Sequence, residues 1–190
     1  HDPTRCGDNC GGESLRAERL LDEAFPAGGA PVPEVLLDHE ATPTETALAQ
    51  AIEQQLEAAG IPVTLRAHPS DEFPVFAASG QQALVRLGWV GAWVAPEAYL
   101  EPLFRTGAAD NIPGYTDPAV DLLLDTAAQA VPAAERLRVL GEAEAAVLAA
   151  APIGPLAQFQ LLSVSSPRVH GLVLGVDGTF DPTAVSLSAS

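Results

Sequence analysis

The side chains with the types and spacing to do chemistry are few. Cys6 and Cys10 lie four residues apart in RCGDNCGG. Two thiols cannot enclose a structural zinc, and no histidine follows at finger spacing. The spacing suits a local disulfide, worth about 2 kcal/mol in the chain-entropy model and placing the protein outside the cytosol. Two free thiols are the alternative. Asp38-His39-Glu40 gathers three ligating types, but successive strand residues point to opposite faces, so a shared metal is not expected. Arg86 rises from an apolar run and requires an anion, either a ligand or one of the chain's own carboxylates. Trp89 and Trp93, the two tryptophans, sit in GWVGAW beside glycines that let a ligand approach. Trp89 suits core packing or a ligand face, and Trp93 a cleft surface. His1, His68 and His170 lack spacing partners and read as surface residues. Glu142 and Glu144 read as a solvated helix face.

Composition removes whole classes of function. The nine basic residues are all arginine, against 25 acidic ones, giving a formal charge of −16 over 190 residues. The footprint of a nucleic-acid or anionic-membrane binder is absent. Without lysine there is no Walker A loop, Schiff base or lysine general base. GxSxG and HExxH are absent too, so no enzyme activity and no cofactor is expected. The uncharged stretch from Ala145 to Pro167 is long enough to raise the question of a membrane span. Pro152, Gly154 and Pro155 should break it into a helix end and a strand.

These residues need elements to position them. Ala17, Leu20, Leu21, Ala24 and Phe25 have helical spacing, ended by Pro26-Ala27-Gly28-Gly29. Val35-Leu36-Leu37 suits a short buried strand. Thr42-Pro43-Thr44-Glu45 supplies an N-cap, a proline at the first helical position and a capping-box glutamate. Leu48, Ile52, Leu56 and Ala59 then form one stripe before Gly60. Ile61 to His68 alternates as a strand, a short helix is expected around Asp71 to Ser79, and Ala83 to Val90 should be a central strand covered on both sides. This order implies a parallel or mixed α/β sheet. Further on come a helical turn or two at Ala98 to Phe104, a polar loop, and helices begun by Asp117-Pro118 and Pro132. The first of these carries Val120, Leu123, Leu124 and Ala127, the second Leu137, Leu140, Ala143 and Val147. Two or three strands are expected over Leu156 to Val164 and Val169 to Phe180, with a turn at Asp177-Gly178.

Several segments in order, RAERLLDEAFPAGGAP, ALAQAIEQQLEAAGIPVTLR, RLGWVGAWVAPEAYLEPLF, NIPGYTDPAVDLLLDTA, AAPIGPL and PRVHGLVL, cover most of residues 14 to 175. Together they resemble the C-terminal part of the extracellular solute-binding proteins of peptide-type ABC importers, solute-binding family 5. The resemblance implies one lobe of a periplasmic-binding-protein-like (type II) clamshell, a mixed sheet flanked by helices. Residues 1–190 would form that single lobe, with 1–13 a flexible cysteine-containing lead-in and 165–190 strands returning toward an N-terminal lobe of the same parent chain. The opening His1-Asp2-Pro3, without an initiator Met or export signal, is read in the same way, as the middle of a longer protein.

The implied partners are a peptide or other small-molecule solute and ABC permease subunits. The implied place is extracytoplasmic, in the periplasm or at the cell surface, lipid-anchored in the parent protein. A non-transport structural or adaptor α/β domain is the alternative, and after it an α/β enzyme. Arg86, Trp89, Ala92, Trp93 and Asn111 are the ligand-binding candidates. Peptide-binding members hold the ligand's ammonium with an acidic residue three positions after the tryptophan, where this chain has Ala92; Ala95 replaces a second acid before Pro96. An ammonium taken from water into a closed cleft needs such a partner. With Arg86 available, the sequence points to a neutral or acidic solute stacked on Trp89 or Trp93. Asn111, Tyr115 and Asp121 match the family's N, GY and D positions, with Asp117 and Asp121 suited to caps and turns.

Overall fold

A computed structural model describes residues 14–158, 162–175 and 178–188. Cys6 and Cys10 lie outside the described residues, as do His1 and Asp177. The chain divides into two units, 1–88 and 89–190.

In the first unit the order is α1 (Ser14–Ala24), β1 (Val35–Glu40), α2 (Pro43–Ala58), β2 (Val63–His68), α3 (Phe73–Ala77) and β3 (Leu84–Val85). The three strands form a parallel sheet in the order β2-β1-β3. Helix α2 starts as its sequence dictates: the Thr42 hydroxyl accepts from the Glu45 N–H at 3.2 Å and Pro43 occupies the first turn. It ends in a Schellman arrangement. The Gly60 N–H donates to the Glu57 carbonyl, the Ile61 N–H donates to the Leu56 carbonyl, and Gly60 takes φ +89°. The Ile61 and Leu56 side chains pack with Ile52 and Leu65 against the buried Leu37, Ala49 and Val63. The helix stripe therefore covers the sheet.

Two expectations need correcting here. The first strand runs past Leu37 to Glu40 and is the central one, carrying Asp38 and His39 at 0% and 1% exposure. The Ala83 to Val90 stretch is instead an edge with two paired residues, and Leu84, Leu87 and Val90 are exposed. An apolar run does not distinguish a central strand from an edge, and Asp38 is accommodated on the central strand by hydrogen bonds from Arg66 and His68 of β2.

In the second unit α4 (Glu97–Phe104), α5 (Pro118–Gln129) and α6 (Ala133–Ala150) precede two short antiparallel strands, β4 (Val169–His170) and β5 (Ser186–Leu187). Leu100, Phe104, Val120, Leu124, Ala127, Val139, Leu140, Ala143 and Val147 form the helical core. Val139 occupies the place expected for Leu137, which is 52% exposed. At 3.6 residues per turn, the face shared by residues 139, 140, 143 and 147 lies roughly 100° from position 137. Helix α6 ends at Ala151, whose φ of +51° is left-handed. No helix among the described residues is long and apolar enough to cross a membrane. The described part of Leu156 to Val164 carries no strand, and among the described residues from Val169 to Phe180 strand pairing is found at β4 and at a Leu174–Phe180 bridge.

Candidate functional site

The second unit holds an open, mostly apolar depression of about 640 Å³, walled by Trp89, Val90, Ala92 and Trp93 on one side and by Ala98, Glu101 and Pro102 of α4 on the other, with Asp110 at its rim. The Trp89 Nε1–H donates to the Ala98 carbonyl at 2.9 Å, fixing the indole against α4. Trp89 and Trp93 are 39% and 58% exposed. The glycine between them serves the protein itself. A Cβ at Gly91 would stand 2.9 Å from the Tyr99 ring and 3.1 Å from the Ala98 Cβ, so its absence lets α4 approach the loop.

The candidates thus separate. Trp89, Ala92 and Trp93 share the depression. Asn111 does not line it; its side chain is consumed in the loop between α4 and α5. Asn111 Nδ2 donates to the Arg105 carbonyl at 3.1 Å and the Tyr115 carbonyl at 2.7 Å, and Oδ1 accepts from the Tyr115 N–H at 2.9 Å. Tyr115 stands edge-on to Phe104 and donates its hydroxyl to Asp117. Burial, then that carboxylate, raises the Tyr115 pKa above its usual value. Asp117 caps α5 through the Ala119 N–H. Asp121 accepts from the Thr106 N–H, and Thr106, through its side chain first and then this N–H, lowers the Asp121 pKa.

Arg86 belongs to the first unit, 8% exposed, with its Nε 3.2 Å from Glu45 Oε2 in the first turn of α2. Its anion is supplied from within the chain. In a β2-β1-β3 sheet the connection reverses direction between β1 and β3, where ligands of open α/β sheets enter beyond the strand ends. The Arg86–Glu45 pair stands there, after β3 and at the start of the helix following β1.

Asp38-His39-Glu40 makes no metal site, and no group of three ligating side chains occurs among the described residues. His39 Nδ1 donates to the Glu40 carbonyl at 2.8 Å. Asp38 instead accepts from Arg66 Nε, from Arg66 Nη2 at 2.9 Å and from His68 Nε2 at 2.6 Å. His68 stacks on Phe76 at 3.9 Å, with Arg66 over the same ring. Burial, the largest influence on Asp38, pushes its pKa up, but Arg66 and His68 together outweigh it and leave the carboxyl below the ordinary range. His68 is therefore part of an internal network and not the surface residue expected. The signal lay in register, which opposes Asp38 to Arg66 and Glu40 to His68, and register is invisible without knowing which strands pair.

Glu101 and Asp110 were also missed. Glu101 is held by Arg105, which pairs in addition with Asp125. Asp110 has no ion pair or side-chain hydrogen bond among the described residues.

The parallel sheet flanked by helices makes the fold α/β, and solved periplasmic binding proteins share it. The comparisons then become specific. The chain is 29% identical over 135 residues to the di/tripeptide-binding protein 4 of Pseudomonas aeruginosa, covering 70% of this chain and 25% of that protein. It is 25% identical over 144 residues to the peptide transport periplasmic protein SapA of Haemophilus influenzae, covering 73% and 26%. The structure of the Escherichia coli murein tripeptide binding protein MppA superposes with a TM-score of 0.75 at 22% identity, covering 84% of this chain and 31% of that one. No family model matches. These likenesses bear out the resemblance to the peptide-type solute-binding proteins. The chain spans about a quarter of the length of the curated relatives it matches.

Proposed function

We propose that this chain is the solute-binding lobe of an extracytoplasmic receptor for an ABC importer, and that Trp89 and Trp93 face the solute. The observation that carries the reading is the depression: two partly exposed indoles, one fixed by a hydrogen bond, line an open apolar hollow in a chain whose relatives are named for binding or transporting peptides. Large exposed aromatic surface on a soluble protein marks a recognition site. Capture would work by closure of a second lobe over the hollow, stabilised by contacts made only in the closed state. The permease subunits and the N-terminal lobe of the parent chain are the partners in this reading. The protein would act outside the cytosol, tethered by a lipid, with Cys6 and Cys10 joined as a disulfide. The reading is of a binding module, in keeping with relatives named for peptide binding and transport.

The experiment is calorimetric titration of the full-length protein with di- and tripeptides and a panel of small polar solutes, paired with tryptophan emission. Saturable binding that shifts the emission, and is lost in Trp89→Ala or Trp93→Ala, supports the reading. Binding of a solute with neither variant affected would place the site elsewhere.

A further inference from the structure

We infer that the depression takes an organic cation, an ammonium group carrying apolar substituents, with Asp110 as its counter-charge and the Trp89 and Trp93 rings as its apolar walls. The inference rests on the reading of the hollow as the solute site and names the chemistry it accepts, against the neutral or acidic solute that the sequence suggests. That expectation rested on Ala92 and Ala95 standing where the family carries acids and on Arg86; the hollow has a carboxylate of its own in Asp110, and Arg86 lies beside Glu45 in the first unit.

Within the depression the charged side chains are both acidic. Glu101 is neutralised: Arg105 Nη2 reaches its Oε1 at 3.0 Å and Arg105 Nε pairs with the other oxygen. Asp110 is not, since it has no partner among the described residues. A rim carboxylate beside exposed indoles attracts a cation twice over, by Coulomb force and through the negative faces of the rings. An anion entering the same hollow would meet repulsion from Asp110 and find no cationic side chain in its lining. The chain's formal charge of −16 adds a long-range field of the same sign.

The rim is also held in place. Asn111, the neighbour of Asp110, makes three hydrogen bonds that tie Arg105 to Tyr115, and the Ile112 N–H closes back on the Asp110 carbonyl at 2.8 Å. Asn111 is thus a positioning residue for Asp110. Ala92 lies on the wall of the same hollow, so its small apolar side chain leaves Asp110 as the one unneutralised charge there among the described residues.

The test titrates the full-length protein with choline and with its uncharged carbon analogue, 3,3-dimethylbutan-1-ol, following tryptophan emission. Choline should bind about tenfold tighter than the analogue and weaken with added salt. Asp110→Asn should reduce choline affinity about fivefold or more while leaving the analogue unchanged. Moving the carboxylate back, in Asp110→Asn/Ala92→Asp, should restore the preference for the charged probe. Equal affinity for the two probes, or an Asp110→Asn variant that binds choline as well as wild type does, overturns the inference. If peptides or other solutes still shift the emission in that case, solute capture stands and the cation preference alone falls. If no solute shifts it, both readings fall.

Discussion

Asp38→Ala is the sharpest test of how the first unit is held together. The carboxylate is wholly buried on the central strand and accepts three hydrogen bonds, two from Arg66 and one from His68. Removing one partner of a buried charge pair typically costs about 3–5 kcal/mol, because the remaining charge is left without compensation. Here the Arg66 side chain is 42% exposed, so it can turn into water and recover much of its hydration. His68 is 15% exposed and keeps its stacking on Phe76. The expected loss is therefore near or just below the low end of that range, roughly 2–3 kcal/mol. Urea unfolding at pH 7 followed by far-ultraviolet circular dichroism measures it directly. A cycle with Arg66→Ala and the double variant should give a coupling of about 1–2 kcal/mol. A loss under about 1 kcal/mol, or a coupling indistinguishable from zero, would refute the view that the network offsets the burial of a charge on the central strand.

The same carboxyl sets a pH dependence. Its pKa is depressed in the folded state, so its contribution is present above the ordinary value near 3.8 and lost as pH falls through the lower folded value; the stability gap between wild type and Asp38→Asn should hold from pH 7 to about 5 and narrow below about 4 in urea midpoints. Ala151→Gly should raise stability by roughly 0.5–1 kcal/mol by relieving a left-handed alanine at the end of α6, and a lower thermal midpoint would contradict it. Leu56→Ala, at a half-buried site that also closes the Schellman contact, should cost about 2 kcal/mol in the same unfolding assay, with a loss under about 1 kcal/mol assigning the helix a peripheral place.

Local chemistry was the legible part of this fold. Thr42, Pro43 and Glu45 announce the start of α2 and Gly60 its end, because caps and left-handed positions are written in single residues. Asp117 announces α5 in the same way. Strand rank was not legible. The Ala83 to Val90 run is the most apolar of the three yet pairs through two residues, while the central strand contains Asp38, His39 and Glu40. A buried aspartate looks like a strand end until Arg66 is seen opposite it, and that opposition is a property of two segments 28 residues apart.

The candidate site divides along the same line. Trp89 and Trp93 stand out because they are the chain's two tryptophans and share one short glycine-containing segment, and both reach the depression. The electrostatic reading of that site turns on tertiary pairing. Arg86 dominates the sequence as the one cation in an apolar strand, and it lies 3.2 Å from a glutamate 41 positions earlier, in a helix cap that already had a local explanation, as an ion pair whose facing atoms make no hydrogen bond. Asp110 is inconspicuous among 25 acidic residues and matters because other charges around it are spent: Glu101 on Arg105, and Asp117 and Asp121 on backbone N–H groups. Counting charges therefore predicts less than asking which of them are already paired. By that criterion the hollow presents one uncommitted carboxylate beside two indoles among the described residues, and the preference for a positively charged group follows from what the fold leaves over.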